Sequence, residues 1–186
     1  MKLYNYEELI SILDYRSPML LLDTAQKIEE NKWRAQKNIT FNDFIFNGHF
    51  PGHPIMPGVM QVEAMEQLAE LALSEKMPSD KNKMLLAKKL QKVKFRKPAF
   101  PGDRLIIELE IKKIENNEAE VSVNCRSNSG LVSQAEITMG YFDRKRTIEP
   151  SENFNDWDKK QEIAADVNKI MSIIPHRYPF LFVDYI

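Results

Sequence analysis

The stretch that decides the fold is residues 47–65, NGHFPGHPIMPGVMQVEAM. It combines a histidine, three prolines and a Pro-Gly step with a glutamate inside an apolar run. Each proline fixes its φ at about −65°, so Pro51, Pro54 and Pro57 hold the loop side chains in place at low entropic cost. Gly58 then opens a predicted helix, whose first N–H groups point at whatever lies in front of them.

Two side chains of this stretch can exchange protons. Histidine is a residue type that can exchange a proton near neutral pH, which makes His49 a candidate base. Glu63 follows fourteen residues later inside the predicted helix. Together with the helix start at Gly58, they supply a base, an acid and a group that binds negative charge.

This stretch resembles the signature of the FabZ-type 3-hydroxyacyl-[acyl-carrier-protein] dehydratases of the hotdog fold. The signature reads Gly-His-Phe-Pro, a spacer, Pro-x-x-Pro-Gly-Val and Glu-Ala-Met, which this chain matches with Gly48-His49-Phe50-Pro51, Pro54, Pro57-Gly58-Val59 and Glu63-Ala64-Met65. The resemblance continues at residues 95–98 and 101–103, and at Arg16, Pro18 and Asp23. It therefore spans roughly residues 8–144.

The resemblance implies an α+β hotdog domain over residues 1–144, in which an antiparallel sheet wraps around a central helix. It implies dehydration of (3R)-hydroxyacyl chains to trans-2-enoyl chains, carried on the phosphopantetheine of acyl carrier protein, in fatty-acid or related lipid synthesis. By this resemblance His49 takes the α-proton, and Glu63 of a partner subunit protonates or orients the leaving hydroxyl. The backbone N–H of Gly58 would bind the carbonyl oxygen. We expect a homodimer, or a trimer of such dimers, with no metal and no further cofactor.

Two other functions stay open on the sequence. One is a hotdog hydratase or thioesterase that acts on coenzyme A esters. The other is a non-catalytic or weakened half of a tandem protein. Three departures from the family pattern bear on the second: Glu66 stands where a small residue is usual, and Tyr15 and Ser17 stand where His and Tyr are usual.

Residues 88–97, KKLQKVKFRK, carry six basic side chains. On a strand, Lys92, Lys94 and Arg96 share one face. We interpret Lys92, Lys94, Arg96 and Lys97 as a docking patch for the acidic carrier protein. The alternative is a strand edge that its lysines protect from aggregation.

The composition excludes several classes of protein. A net charge of −1 over 186 residues does not suit a nucleic-acid-binding protein. The single cysteine, Cys125, cannot form an internal disulfide, and no stretch approaches the ~20 apolar residues of a membrane span. We expect a cytoplasmic protein that is not inserted in a membrane.

His49 and His53 do not suggest a metal site, because Pro51 between them precludes a helix.

Hydrophobic periodicity predicts a helix over residues 6–13 and a hairpin of strands 19–24 and 32–40. It then predicts a loop over residues 41–57 and a buried helix over 58–76, whose polar stripe is Glu63, Glu66, Gln67 and Glu70. Four further strands are predicted, over residues 84–95, 104–114, 118–126 and 131–142.

The end of the chain repeats its beginning. Six residues recur 161 positions later: Ser11, Ile12, Arg16, Pro18, Leu20 and Asp23 return as Ser172, Ile173, Arg177, Pro179, Leu181 and Asp184. We interpret residues 145–168 as a polar linker and residues 169–186 as the first segment of a second, incomplete hotdog repeat. His176 belongs to this repeated motif, and we expect it to be a packing residue. Because this segment is so apolar, we expect it to pack on a hotdog body, its own or a neighbour's.

Overall fold

The structure is a computed structural model that describes residues 2–77, 82–144 and 163–186. Seven antiparallel strands of these residues form one sheet in the order β1-β2-β3-β5-β6-β7-β4. The strands are β1 (Leu3–Tyr4), β2 (Thr24–Glu29), β3 (Lys32–Asn38), β4 (Lys83–Phe95), β5 (Arg104–Glu115), β6 (Glu118–Ser127) and β7 (Gly130–Asp143). The helices are α1 (Tyr6–Ile12), α2 (Gly58–Ser74) and α3 (Val167–Ile173).

The centre of the fold is α2, which contacts strands β3 to β7. Beyond Gly58 it contains no glycine or proline, and Met, Leu, Ala, Glu and Gln favour the helical state. Most of its residues are buried, and the exceptions include Val59, Glu63, Glu66 and Glu70 on one side. The prediction of a sheet around a buried central helix is therefore confirmed. The predicted polar stripe is present: the three glutamates are partly buried, and Gln67, which is fully buried, donates a hydrogen bond to Glu63 on the same side of the helix.

The predicted strand over residues 19–24 is wrong, because β2 begins only at Thr24. Leu21 and Leu22 are buried as the pattern indicated. However, the carbonyl of Met19 and the N–H of Leu21 bind the side chain of Gln67, at 2.8 and 2.9 Å, instead of a neighbouring strand. Their backbone groups are thus satisfied without a place in the sheet.

The C-terminal segment, residues 163–186, packs on the body of its own chain. We call it the tail. It contains α3 and buries Ile170 and Phe180. Its one β-bridge joins Asp166 to Tyr185, so the tail pairs with itself and adds no strand to the sheet. Residues 145–162 of the predicted linker lie outside the described residues, and the proposed domain boundaries stay a prediction.

Within the described ranges, no helix combines the length and the apolar character that a membrane crossing requires.

Candidate active site

His49 lies in the loop between β3 and α2, just after a turn of 3-10 helix at Phe44–Asn47. The loop backbone is fixed on both sides of the histidine. The N–H of His49 donates to the carbonyl of Ile45 at 3.1 Å, and the N–H of Ile55 donates to the carbonyl of His49 at 3.0 Å. The prolines and these bonds together hold a loop that has little regular structure.

One nitrogen of the His49 ring has a fixed partner. Nδ1 lies 2.8 Å from the carbonyl oxygen of Ile55. Because a carbonyl oxygen only accepts hydrogen bonds, Nδ1 carries the proton in this contact. The neutral ring therefore keeps a free lone pair on Nε2, which is the form that a general base requires.

His49 opens onto a groove of about 470 Å³ at the start of α2. The groove is lined by His49, Ile55, Met56, Gly58, Val59, Gln61, Phe95, Arg96, Lys97 and Pro98. The structure therefore brings His49 and Gly58 together, as the sequence predicted. Since the first N–H groups of a helix have no intrahelical partner, this end of α2 offers donors and a partial positive charge to the groove.

Gly58 also makes room for an aromatic side chain that the sequence did not single out. A Cβ on Gly58 would lie 2.6 Å from the ring of Phe95, at the end of β4. The absence of a side chain at position 58 therefore allows Phe95 to pack against the helix start.

Glu63 lies one turn along α2 from Val59 and is not among the described residues that line the groove. Its carboxylate accepts a hydrogen bond of 2.9 Å from Nε2 of Gln67. The same amide group holds Met19 and Leu21, so one buried residue fixes both Glu63 and the segment beside it. His49 and Glu63 thus belong to different surroundings within one chain.

A comparison of Gln67 with Gln61 tests whether the hydrogen bonds of the Gln67 side chain stabilise the fold. Gln67→Leu would leave the Leu21 N–H and other buried groups without partners, at a cost of about 1–3 kcal/mol in the free energy of unfolding. Gln61 is also buried, but its Oε1 has no partner among the described residues and its Nε2 makes only a 3.4 Å contact. We expect Gln61→Leu to be near neutral in chemical denaturation. Equal losses of unfolding free energy in the two variants would show that the hydrogen bonds of Gln67 do not stabilise the fold.

Acidic and phenolic groups surround Glu63. Burial and, after it, the neighbouring Glu63 carboxylate raise the pKa of Tyr15, so its hydroxyl stays protonated at neutral pH. Burial raises the pKa of Glu66, which accepts a hydrogen bond of 2.6 Å from the Ala87 N–H. Burial and then the charge of Asp14 raise the pKa of Glu70 to about 7. Of these neighbours the sequence indicates Glu66 and Glu70 as part of the polar stripe, whereas Tyr15 stands out only as a departure from the family pattern.

The four predicted docking residues separate into two pairs. Arg96 and Lys97 line the groove of His49. Lys92 and Lys94 lie further back on β4. Lys92 pairs with Glu136 at 2.8 Å, and Lys94 has no hydrogen bond or ion pair within the described part of the chain. Lys92 and Arg96 reach Glu136 and Gln134, which are two residues apart on β7, but a β-bulge between Gln91 and Lys94 interrupts the regular alternation on which the predicted common face rested.

The tail lies directly against the His49 loop. The N–H of Arg177 donates to the carbonyl of Gly48 at 3.1 Å. The rings of His176 and Phe180 stand 5.7 and 5.6 Å from the ring of His49. His176 also packs edge-on against Phe50, with ring centroids 4.9 Å apart. By contrast His53 is exposed.

Comparison with solved structures shows the fold. A chain of the dehydratase heterocomplex ApeI:P from Xenorhabdus doucetiae matches with a TM-score of 0.60 at 16% identity, over 73% of this chain and 91% of that one. A hot-dog-like protein from Thermanaerovibrio acidaminovorans matches with a TM-score of 0.51 at 20% identity, over 61% and 82%. The hotdog prediction is confirmed.

Comparison with protein families and curated sequences shows the family of this chain. The family model of the FabA-like domain matches residues 13–140. A protein of Solibacter usitatus is 37% identical over 78% of this chain and 90% of its own length. Proteins of Petrotoga mobilis and Helicobacter pylori are 40% and 42% identical, over 73% and 70% of this chain and 96% and 86% of their own lengths. All three relatives are named 3-hydroxyacyl-[acyl-carrier-protein] dehydratase FabZ. The chain therefore belongs to the FabA-like family and, within it, to the FabZ type.

Proposed function

We propose that this protein removes water from (3R)-hydroxyacyl groups carried by acyl carrier protein, as a step of fatty-acid or related lipid synthesis in the cytoplasm. The observation that carries the proposal is the state of His49. Its Nδ1–H is held by Ile55, which frees Nε2, and its ring shares one groove with the N-terminus of α2. The relatives named as dehydratases of this substrate class support the same reaction.

The chemistry follows from two proton transfers. Nε2 of His49 takes the proton on C2 of the acyl chain, and negative charge grows on the thioester oxygen. The helix start at Gly58 stabilises this charge with N–H donors. The C2–C3 double bond then forms as the C3–O bond breaks, and an acid gives its proton to the departing oxygen to make water. Only protons and water move, so the step as written needs no metal and no redox cofactor.

The acid that we propose is Glu63 of a second hotdog unit, in a homodimer or an assembly of such dimers. Two observations support this arrangement. Glu63 stands outside the His49 groove of its own chain, and it lies on the side of α2 that is least buried. A two-fold pair of units would bring the two groups together twice, once at each shared site.

The proposed carrier contact rests on Arg96 and Lys97, which line the groove that the acyl chain would enter. We expect Arg96→Glu combined with Lys97→Glu to raise KM for carrier-bound substrate about tenfold or more, because charge reversal repels an acidic partner. Added salt should raise the wild-type KM in the same direction. KM for a short thioester without carrier should stay within about twofold, since rim charges act mainly on encounter with the partner.

Lys113→Glu is the matched control for this experiment. Lys113 is also a basic strand residue, but it lies roughly 30 Å along β5 from the end near the groove, at ~3.4 Å per residue. It should leave both KM values unchanged. If the double reversal weakens both substrates equally, the two residues are structural or contact the acyl chain. If the wild type turns over only coenzyme A esters, the proposed substrate class is wrong.

A further inference from the structure

The tail reproduces the beginning of the chain in three dimensions. Helix α1 (Tyr6–Ile12) and helix α3 (Val167–Ile173) are offset by 161 residues and have the same length. Their N-caps, Asn5 and Asp166, obey the same offset and accept hydrogen bonds of 3.0 and 2.8 Å from the third residue of each helix. Residues 2–25, which we call the opening segment, and the tail therefore share a local fold as well as a sequence pattern.

The agreement extends to the turn after each helix. Arg16 donates to the carbonyls of Leu13 and Tyr15 at 3.0 and 2.7 Å. Arg177 donates to the carbonyls of Ile174 and His176 at the same two distances. Residues 13–19 and 174–180 thus present backbones of the same shape.

Both segments bury the same helix position, Leu9 in α1 and Ile170 in α3, but after the helix they bury different residues. In the opening segment, Leu21 packs into the core and is 5% exposed, whereas Met19 is 39% exposed. In the tail, Phe180, which corresponds to Met19, is only 9% exposed because it lies against His49. Phe182, which corresponds to Leu21, is 79% exposed. The stretch after the helix can therefore dock in two ways: through the position of Leu21 beside α2, or through the position of Phe180 on the His49 loop.

Gly48 shows how closely the loop fits the stretch after α3. A Cβ at Gly48 would lie 2.0 Å from the carbonyl oxygen of Arg177 and 2.6 Å from that of Tyr178. Its φ of −121° is open to any residue, so the need for glycine comes from this approach and not from the backbone conformation. The loop is shaped to receive a backbone of the kind that residues 174–180 and 13–19 share.

We propose that residues 174–180 occupy, on the loop of His49, the place that residues 13–19 of a second copy of this chain would take in a symmetric pair. The tail and a second copy then compete for the same loop. While the tail is bound, His49 faces His176 and Phe180. When a second copy displaces the tail, His49 faces that copy's Tyr15 and Met19. Because Tyr15 neighbours Glu63 in each chain, the second copy's Glu63 then lies near His49.

This inference rests on the pairing of two units in the proposed function, but its test reads contacts and does not need turnover. The full chain is made with p-benzoylphenylalanine in place of Phe50, whose ring contacts His176, and light and isotopically heavy chains are mixed before irradiation. In the intact protein we expect most crosslinks to reach residues 174–180 within one chain, with doubled mass only in the minor paired fraction that carries the turnover. Crosslinks that mostly join light to heavy chains, or that miss the tail, would overturn the proposal.

A second variant tests the competition. Phe180→Glu places a carboxylate in the apolar contact with His49 and should release the tail. The crosslinks should then shift to residues 13–19 of a second copy, with doubling of mass. Ile173→Glu, at a position on α3 that is 68% exposed, is the control and should leave the crosslinks within the chain. If Phe180→Glu gives crosslinks only within one chain, or none at all, the tail and a second copy do not share the loop. A chain that shows the expected crosslinks but no turnover would contradict the proposed function and leave the shared docking site on the loop intact.

Discussion

Replacing His49 with alanine is expected to lower kcat for dehydration by a factor of about 10²–10⁴, the usual contribution of a general base. The expectation follows from the hydrogen bond between Nδ1 and the Ile55 carbonyl, which leaves Nε2 to accept the α-proton. KM should change much less, because the lost interaction is made in the transition state. Steady-state kinetics on carrier-bound 3-hydroxyacyl substrate measures both constants.

His53→Ala is the matched control for this variant. It removes an imidazole from the same loop, but His53 is exposed and only its backbone takes part in the turn with Phe50. Its kcat should stay within about twofold of the wild type, in line with the small effect of most surface substitutions. Comparable losses in the two variants, with intact folding by circular dichroism, would show that His49 acts through loop structure and not as a base.

Glu63→Gln is expected to lower kcat by about 10²–10³, because an amide cannot supply the proton that the leaving hydroxyl needs. The variant keeps the size of the side chain and its position beside Gln67. Unfolding by denaturant should therefore be almost unchanged, which separates this loss from a loss of stability.

Glu66→Gln controls for the charge of the acidic group on α2. Glu66 lies three residues from Glu63 and holds the Ala87 N–H, a role that a glutamine oxygen can also fill. We expect kcat within a few-fold of the wild type, because only a local charge is removed. A larger loss of kcat in Glu66→Gln than in Glu63→Gln would show that Glu66, and not Glu63, is the acid.

The sequence predicted the parts of the fold that depend on local pattern. Residues 58–74 are rich in helix-forming residues and contain no proline, and the strands from Lys83 onward are bounded by turn residues. Their predicted positions therefore agree with the structure to within a few residues. The sequence wrongly predicts a strand over residues 19–24, because a short apolar run is typical of a strand. Its backbone is bound by the side-chain amide of Gln67, 46 residues away in sequence, and a local pattern cannot predict such a distant partner.

The candidate site shows the same division. His49, Gly58 and Glu63 could be singled out because they stand in a dense motif of prolines and glycines. The ring of Phe95 over Gly58 and the burial of Tyr15 beside Glu63 join residues that are distant in sequence. The repeat at an offset of 161 was visible in the sequence, but the loop on which the tail lies was not.

The measurement that tests the account most directly is complementation between two inactive chains. His49→Ala and Glu63→Gln are each combined with Phe180→Glu, so that the tail does not occupy the loop, and the two proteins are mixed in equal amounts after dissociation. About half of the dimers are then hybrids with one intact site, so the mixture should regain about a quarter of the activity of the Phe180→Glu chain. No gain in activity, in a sample whose hybrid dimers are verified by native mass spectrometry, would show that His49 and Glu63 do not meet across two units.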